Sequence, residues 1–400
     1  MTPPLKILHI VPSISLVYGG PSQMVRGFSQ ALSAAGTEVT IITTDSNGDV
    51  DEAPLEVPIG QPVKEDNYTV YYFRCSPFRR YKFSFNLLRW LWNHAQEYDI
   101  AHVHALFSPV SSFAATVLRQ RGVPYLMRPL GTLDPADLRK KRQIKKLYAA
   151  VLERPNLAGA AAIHFTSEQE AQVSERFGTE TSGIVLPLGV TPLPPAAAAA
   201  DARDRFAIPR DRPLILFMSR LDPKKGIDLL LPALEILQHE GLDFHLVMCG
   251  ANPQDREYEQ SVHQRVERSE LRSHVTFTGF VSGDLKTALL QAADLFVLPS
   301  YYENFGISVA EAMLAGLPVV ISNQVHIWNT IQHTESGWIC DCTIDSLTTQ
   351  LRDALKQPEE RAQRGLNAQR CAKDHYSWEA IAEQAIAIYQ NLIWESVPKK

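Results

Sequence analysis

Glu303 and Glu311 stand eight positions apart, with Asn304, Phe305 and Gly306 directly after the first and Ile307 following. Glu311 is flanked by Val309, Ala310, Ala312 and Met313, so its carboxylate sits among apolar neighbours. Leaving such a group without a partner costs several kcal/mol, and the hydroxyls of a polyhydroxyl ligand are suitable donors. For one acid alone the alternative is a carboxylate near a helix N-terminus, favoured by the helix dipole. Two acids around an Asn-Phe-Gly turn favour the ligand. A second set is cationic: Arg220, Lys224 and Lys225 lie in SRLDPKKG, residues 219–226, just ahead of an apolar run that reads as a helix from 227. Cations on a loop at a helix N-terminus make an anion site, Arg as a bidentate partner for phosphate and Lys as a point charge; a solvated loop is the alternative.

The elements that position these groups follow from the pattern around them. Residues 295–298 are a short apolar run that breaks at Pro299 into a polar aromatic loop; 307–315 suit a helix, Gly316 and Pro318 stop it, and 319–321 resume a buried strand. A strand, loop, helix, strand unit of a parallel sheet places its loop at the carboxyl edge, where ligands bind. Earlier in the chain, 6–11 reads as a strand and 23–35 as a helix, with the loop 17–22 containing Gly19, Gly20 and Pro21 between them. Further strands are expected at 38–44, 99–106, 123–128, 161–166 and 184–188. His102 and His104 alternate onto one strand face; most such histidines are core residues, but His104 lies near the carboxyl end. Asp49 and Asp51 resemble a metal-binding pair, yet they stand in an acidic loop with no flanking strand, so a solvated loop is the reading and no metal is expected. Pro192 to Pro195 and five alanines at 196–200 mark an interdomain linker. After it, strands are expected at 213–218, 244–249, 275–277 and 293–298, and a last helix runs from about 377 to 395.

With Glu303-Asn304-Phe305-Gly306 and Glu311 in this setting, the chain resembles the retaining nucleotide-sugar glycosyltransferases of family 4, with their E-x7-E signature. The resemblance reaches both ends of the chain and implies the GT-B fold: α/β, two facing Rossmann-like domains with parallel sheets, and a C-terminal helix crossing back to the first. It implies an N-terminal domain of 1–190 with about 380–400, and a nucleotide-sugar-binding domain of 191–379. By resemblance Glu303 contacts hydroxyls of the transferred sugar, Glu311 holds the ribose, Arg220 and Lys225 hold the diphosphate, and Gly19 and Gly20 face it from the first domain. Gly279, Phe280 and Val281 would seat the base, and Asn304 to Ile307 complete the donor site. The family often carries a His after the strand at 123–128; here Leu130 takes that position, leaving Arg128 or His104 as candidates for its role. The implied reaction is metal-independent transfer of a hexose, with UDP-glucose favoured as donor, to a saccharide or lipid-linked saccharide in bacterial polysaccharide assembly. No cofactor is implied. An epimerase or hydrolase of the same architecture, or a non-catalytic sugar-nucleotide-binding protein, are the alternatives.

Composition fits such an enzyme: 400 residues, 45% hydrophobic and 21% charged, suit two globular domains. No run of eighteen apolar residues occurs, the N-terminal apolar run is too short for a signal peptide, and five cysteines read as reduced thiols. A cytoplasmic location is the expectation. Charge is uneven: residues 74–148 contain fourteen Lys or Arg against four Asp or Glu, although the whole chain is at −5. Within it, 78–94 interleaves aromatics, Trp90 and Trp92 among them, with four basic residues and no acid, and Arg139 to Lys146 is a second basic cluster. An anionic membrane surface is the partner such a patch fits; a helix packed on its own sheet with a solvated basic side is the alternative. Nucleic acid is not expected, since no nucleic-acid motif accompanies the charge.

Overall fold

Runs of branched and aliphatic residues, buried on both faces, build two separate sheets, as parallel strands covered by helices require. The computed structural model describes residues 3–48, 53–76, 82–133, 147–192 and 199–396; Asp49, Asp51, Arg79, Arg80 and the cluster at 139–146 lie outside the described residues. The chain divides into one unit of Met1–Gly189 with Trp378–Lys400 and a second of Val190–Ser377.

In the first unit β1 (Lys6–Ile10), β2 (Glu38–Thr44), β3 (Pro62–Glu65), β4 (Tyr68–Phe73), β5 (Ile100–His104), β6 (Tyr125–Arg128), β7 (Ala162–Phe165) and β8 (Gly183–Val185) lie in the order β3-β4-β2-β1-β5-β6-β7-β8. Only the β3 to β4 hairpin is antiparallel. Alternation along the strands sorts the residues. Leu8, Ile10, Ala101 and Val103 join a core with Leu87 and Leu91 of α2 (Phe85–His94), Val110, Ala114 and Leu118 of α3 (Pro109–Arg121) and Leu157 of α4 (Arg154–Ala158). The opposite face turns His9 and His102 toward Phe28 of α1 (Gly20–Ala34) and Tyr389 of the C-terminal helix Trp378–Ser396. That helix is seated by Trp378, whose ring leaves no room for a Cβ at Gly27 or Gly189. α1 begins three residues earlier than the sequence pattern predicts, because Pro21 suits a first turn where its missing N–H is not needed.

The second unit is a six-stranded parallel sheet of β9 (Leu214–Met218), β10 (His245–Cys249), β11 (Val275–Gly279), β12 (Leu295–Leu298), β13 (Val319–Ser322) and β14 (Gly337–Cys340), in the order β11-β10-β9-β12-β13-β14. All its pairs are parallel. Ile215, Leu216 and Phe217 of β9 are fully buried, each contributing about 1.5–3 kcal/mol of apolar burial. Chain order reverses between β9 and β12, and in such sheets ligands bind outside the carboxyl ends of the strands at that reversal.

Candidate active site

At the reversal in the second unit the loops after β9 and β12 are laced together. Gly226, at φ 70°, comes so close that a Cβ would overlap the Pro299 carbonyl, and the Tyr301 N–H donates to the Lys224 carbonyl at 2.8 Å. The cationic loop is folded by its own residues: Asp222 accepts from the Lys224 N–H at 2.9 Å and caps the 3-10 turn Pro223–Lys225, while buried Asn252 donates to the Leu221 carbonyl at 2.9 Å. α5 (Ile227–His239) then starts from Gly226. The result is that Lys225 meets Glu303 in an ion pair. Arg220 is half-exposed; its Nη1 donates to Gln254 at 3.2 Å and its Nε lies 3.8 Å from Asp222. Its guanidinium is therefore accessible to an anion.

Glu303 is fixed through its backbone, its N–H donating to the Gln324 carbonyl and its carbonyl accepting from the His326 N–H, both at 3.0 Å. Three residues on, Gly306 takes φ 82° and starts α7 (Ile307–Leu314); a Cβ there would stand 3.1 Å from Val309 and 3.3 Å from Val325. Only glycine meets both demands at no steric cost. The Val309 and Ala310 N–H groups donate to the Gly306 carbonyl at 2.9 and 3.1 Å, which leaves the Ile307 and Ser308 N–H groups ahead of the helical bonds, at the end of α7 that favours negative charge. Glu311, one turn further, pairs with Lys286 of α6 (Gly283–Ala292) at 2.7 Å. Lys286 was not singled out by sequence reasoning. Its signal was position, since it follows the Gly279 to Val281 segment by five residues.

Within that segment Gly279 has φ 68°, Phe280 is 79% exposed and Val281 is buried. Phe280 thus offers a solvent-facing ring, while Val281 leaves little beyond its backbone. Asn304 and Ile307 are half-buried. The ring of Phe305, expected in the donor site, is buried edge-on against Tyr376, with 5.3 Å between centroids.

The first unit places its predicted residues differently. Gly19 at φ 68° and Gly20 form the turn into α1, with open space around a Cβ at Gly19 and with Leu16 and Val17 exposed beside them. His104 does not stand in an open cleft. It is fully buried, with Nε2 2.9 Å from Nδ1 of His9, and stacks on His102 at 4.5 Å between centroids. Burial, followed by the charge of its neighbours, holds it neutral, and in this arrangement the imidazole expected to be catalytic is packed among other side chains. Arg128 is likewise buried, and its Nη1 lies 2.8 Å from Met24 Sδ; burial lowers its pKa to about 10. In this arrangement neither side chain is open to a ligand.

Tautomers along the histidine network follow from its end. His164 Nε2 donates to the Leu186 carbonyl, so its Nδ1 accepts from His102 Nε2, and His102 Nδ1 accepts from the Tyr389 hydroxyl. Burial lowers His9 and His164 to about 3. Ligand atoms of His9, His102 and His104 lie within 4.8 Å of one another. Both nitrogens of His102, His9 Nδ1 and His104 Nε2 are committed to these hydrogen bonds, while His9 Nε2 and His104 Nδ1 are buried without a partner; the Arg128 cation alongside suits a stack of neutral imidazoles better than a metal ion.

Sequence reasoning also passed over two buried acids. Glu153 accepts from the Phe107 N–H and the Ser112 hydroxyl, each at 2.7 Å; Glu170 accepts from the Thr166 N–H at 2.6 Å and the Gly131 N–H at 3.2 Å. They clamp loops in which Ala105, Phe107 and Leu130 all have positive φ, at 66°, 56° and 56°. Non-glycine residues in that region cost about 1–3 kcal/mol each and persist where surrounding bonds enforce them.

Residues 199–370 match the family model described as glycosyl transferases group 1, and residues 19–189 match that of the glycosyl transferase 4-like domain. An uncharacterized glycosyltransferase of Methanocaldococcus jannaschii is 33% identical over 190 residues, 47% of each chain. A GDP-mannose-dependent alpha-(1-6)-phosphatidylinositol monomannoside mannosyltransferase of Mycobacterium tuberculosis is 28% identical over 236 residues, 56% of this chain and 60% of its own. The chain thus spans 47% and 60% of the length of these two curated relatives. Among solved structures, sucrose-phosphate synthase of Thermosynechococcus elongatus has a TM-score of 0.73 at 23% identity, covering 98% of this chain and 100% of its own. HepE of Anabaena in complex with UDP-glucose has a TM-score of 0.73 at 18% identity, covering 97% and 100%. These likenesses give the chain the GT-B fold.

Proposed function

The chain belongs to the group 1, family 4-like glycosyltransferases, and from that premise we propose that it transfers a hexose from a nucleoside diphosphate sugar to a hydroxyl of a saccharide or lipid-linked saccharide, with retention of anomeric configuration. The observation that carries this is the contact between Lys225 and Glu303 at the sheet reversal, with Arg220 on the same loop. In a sugar diphosphate the hydroxyls and the phosphate are separated by one anomeric bond, so a site for it needs a carboxylate and a cation side by side. Glu303 accepts from sugar hydroxyls; Lys225 and Arg220 meet the charge that develops on the leaving diphosphate, the transition-state term that preorganised charges serve best. Glu311 accepts from the ribose hydroxyls, and Phe280 offers its face to the base.

UDP-glucose is the favoured donor: a solved structure with the same fold, HepE, holds it, whereas the mycobacterial relative is named for GDP-mannose. Diphosphate charge is met by side chains, so the reaction proceeds without a divalent cation. Departure of the diphosphate and attack of the acceptor occur on one sugar face, the leaving phosphate taking the acceptor proton. The work is assigned to the cytoplasmic side of a membrane in polysaccharide assembly, in keeping with the basic excess of 74–148.

Labelled UDP-glucose incubated with saccharide acceptors tests this. An α-linked product is expected. A β-linked product refutes retention; free glucose and UDP in equal amounts, with no acceptor product, make the protein a hydrolase.

A further inference from the structure

Among the described residues, α2, α3 and the segment 147–158 pack on one face of the first unit's sheet, and their outward stripes share an unusual composition. On α2 the stripe is Phe85, Arg89 and Trp92, at spacings of four and three. Phe85 is 70% exposed and Trp92 44%. Trp90, which the sequence pattern paired with Trp92 as a surface ring, is instead packed on Tyr71 and His94 at 4.8 and 4.6 Å. On α3 the outward aromatic is Phe113, with Arg119 exposed and Arg121 5.3 Å from the Trp92 ring. The π-helical turn Ala149–Glu153 and α4 present Val151 and Arg154, and Leu147 stands just ahead of them; Leu147 and Val151 are 69% and 63% exposed. Neither α2 nor α3 contains an acid, and the one acid in 147–158, Glu153, is turned inward to Ser112. The described outer face of these segments therefore carries aromatic and aliphatic side chains, arginines and the amides Asn86, Asn93 and Gln120; the nearest exposed carboxylate, Glu97 in the 3-10 turn after α2, is taken up by His94 at 2.8 Å.

We propose that this face is a docking surface for an anionic lipid bilayer. A second copy of the chain would need acids or a matching apolar face opposite four arginines, and pairing the surface with itself would set arginine against arginine. Bilayer headgroups supply the opposite charge, and rings at the outer edge of a helix layer enter the interface beneath them. Arg89, Arg119, Arg121 and Arg154 attract the surface; Phe85, Trp92, Phe113, Leu147 and Val151 insert. The proposal rests on the acceptor being lipid-linked only for its purpose, and its test needs no turnover.

The full chain is sedimented with vesicles of equal phosphatidylglycerol and phosphatidylcholine, and with phosphatidylcholine alone, at low and high salt. Binding to the anionic vesicles at low salt, weakened by high salt, is expected. Arg89→Gln with Arg154→Gln should weaken it roughly tenfold or more, and Phe85→Ser with Val151→Ser should weaken it at both salt concentrations. All four residues are exposed, so unchanged melting curves check that the variants fold. Equal binding by wild type and both double variants, or no binding to anionic vesicles at low salt, overturns the proposal. So does a wild-type dimer in solution that Phe85→Ser with Val151→Ser converts to monomer, since the face would then belong to a second copy. Thermal stabilisation by UDP-glucose, measured separately, reports on the donor site whatever the vesicles show.

Discussion

The carboxyl edges of the two sheets are equipped in opposite ways. In the second unit the charged groups at the edge remain partly exposed, at 15% for Lys225, 22% for Glu303, 28% for Lys286 and 18% for Glu311, and each acid has a lysine partner. In the first unit the polar groups at the corresponding edge are buried: His104 is 0% exposed and Arg128 2%. Their partners are one another, a methionine sulfur, a carbonyl and a tyrosine hydroxyl. Partly hydrated charge is what a ligand can exchange for its own hydroxyls and phosphates. Fully buried polar groups are already exchanged, and what they can provide is a fixed backbone, as the buried Glu153 and Glu170 do for the loops of three residues at positive φ. One architecture thus carries partly exposed, paired charge at one edge and buried polar bonding at the other.

Substitution at the two edges should separate these roles most sharply. Arg220→Ala or Lys225→Ala is expected to reduce kcat/KM by about 2–4 kcal/mol of transition-state stabilisation, with melting nearly unchanged. His104→Gln should do the reverse, costing on the order of 1–3 kcal/mol of stability through an unpaired buried partner at His9 while sparing turnover in the folded fraction. If His104→Gln abolished turnover without destabilising the chain, the contrast between the edges would fail.

Acid should also separate the units. Burial first, then nearby charge, depresses His9, His102, His104 and His164 well below their unfolded value of about 6.5. A depressed imidazole leaves the folded state with fewer bound protons than the unfolded one. Its contribution is therefore complete above about pH 6.5 and is lost as pH falls toward the folded value, about 3 for His9 and His164. The loss is on the order of 1 kcal/mol per imidazole per pH unit in that window. In the second unit the counterpart among the described residues is His245, lowered to about 4 by burial and then by His274 and two arginines. Hydrogen exchange between pH 7.5 and 5.5 should show the first unit opening before the second; simultaneous opening would contradict it.

A smaller effect is expected at Lys286. It reaches Glu311 and no part of the reacting sugar in this reading, so Lys286→Met should raise the donor KM about tenfold, near 1.4 kcal/mol, and leave kcat within a few-fold. A fall in kcat with KM unchanged would move Lys286 to the reacting centre. The smallest effect is that of EDTA, which should leave the rate as it was; loss restored by magnesium or manganese would make the diphosphate site metal-dependent.

Much of the fold was legible because its signals are local. Apolar runs bounded by Gly and Pro marked β12, α7 and β13, and the alanine run stood between the two sheets. Acid and cation positions in 219–226 and 303–311 could be named because loop chemistry at a strand end is read residue by residue. What could not be read was long-range. The partner of His104 is His9, 95 residues away, and that of His102 is Tyr389, 287 residues away, so nothing near β5 distinguishes a buried imidazole from a cleft residue. Lys286 and Glu311 meet only after two strands pair with different neighbours. Phe305 stands among candidate ligand residues in the sequence, and only the packing of Tyr376 against it shows that its ring is buried.

Whether the second unit's edge holds a nucleoside diphosphate by charge is measured directly by thermal unfolding with UDP. At about 100 times its dissociation constant UDP should stabilise the wild-type chain by roughly 2.7 kcal/mol, with that gain largely absent from Arg220→Ala and Lys225→Ala and retained in His104→Gln. Equal stabilisation of the wild type and both loop variants, or no stabilisation of any of them, would contradict binding by charge.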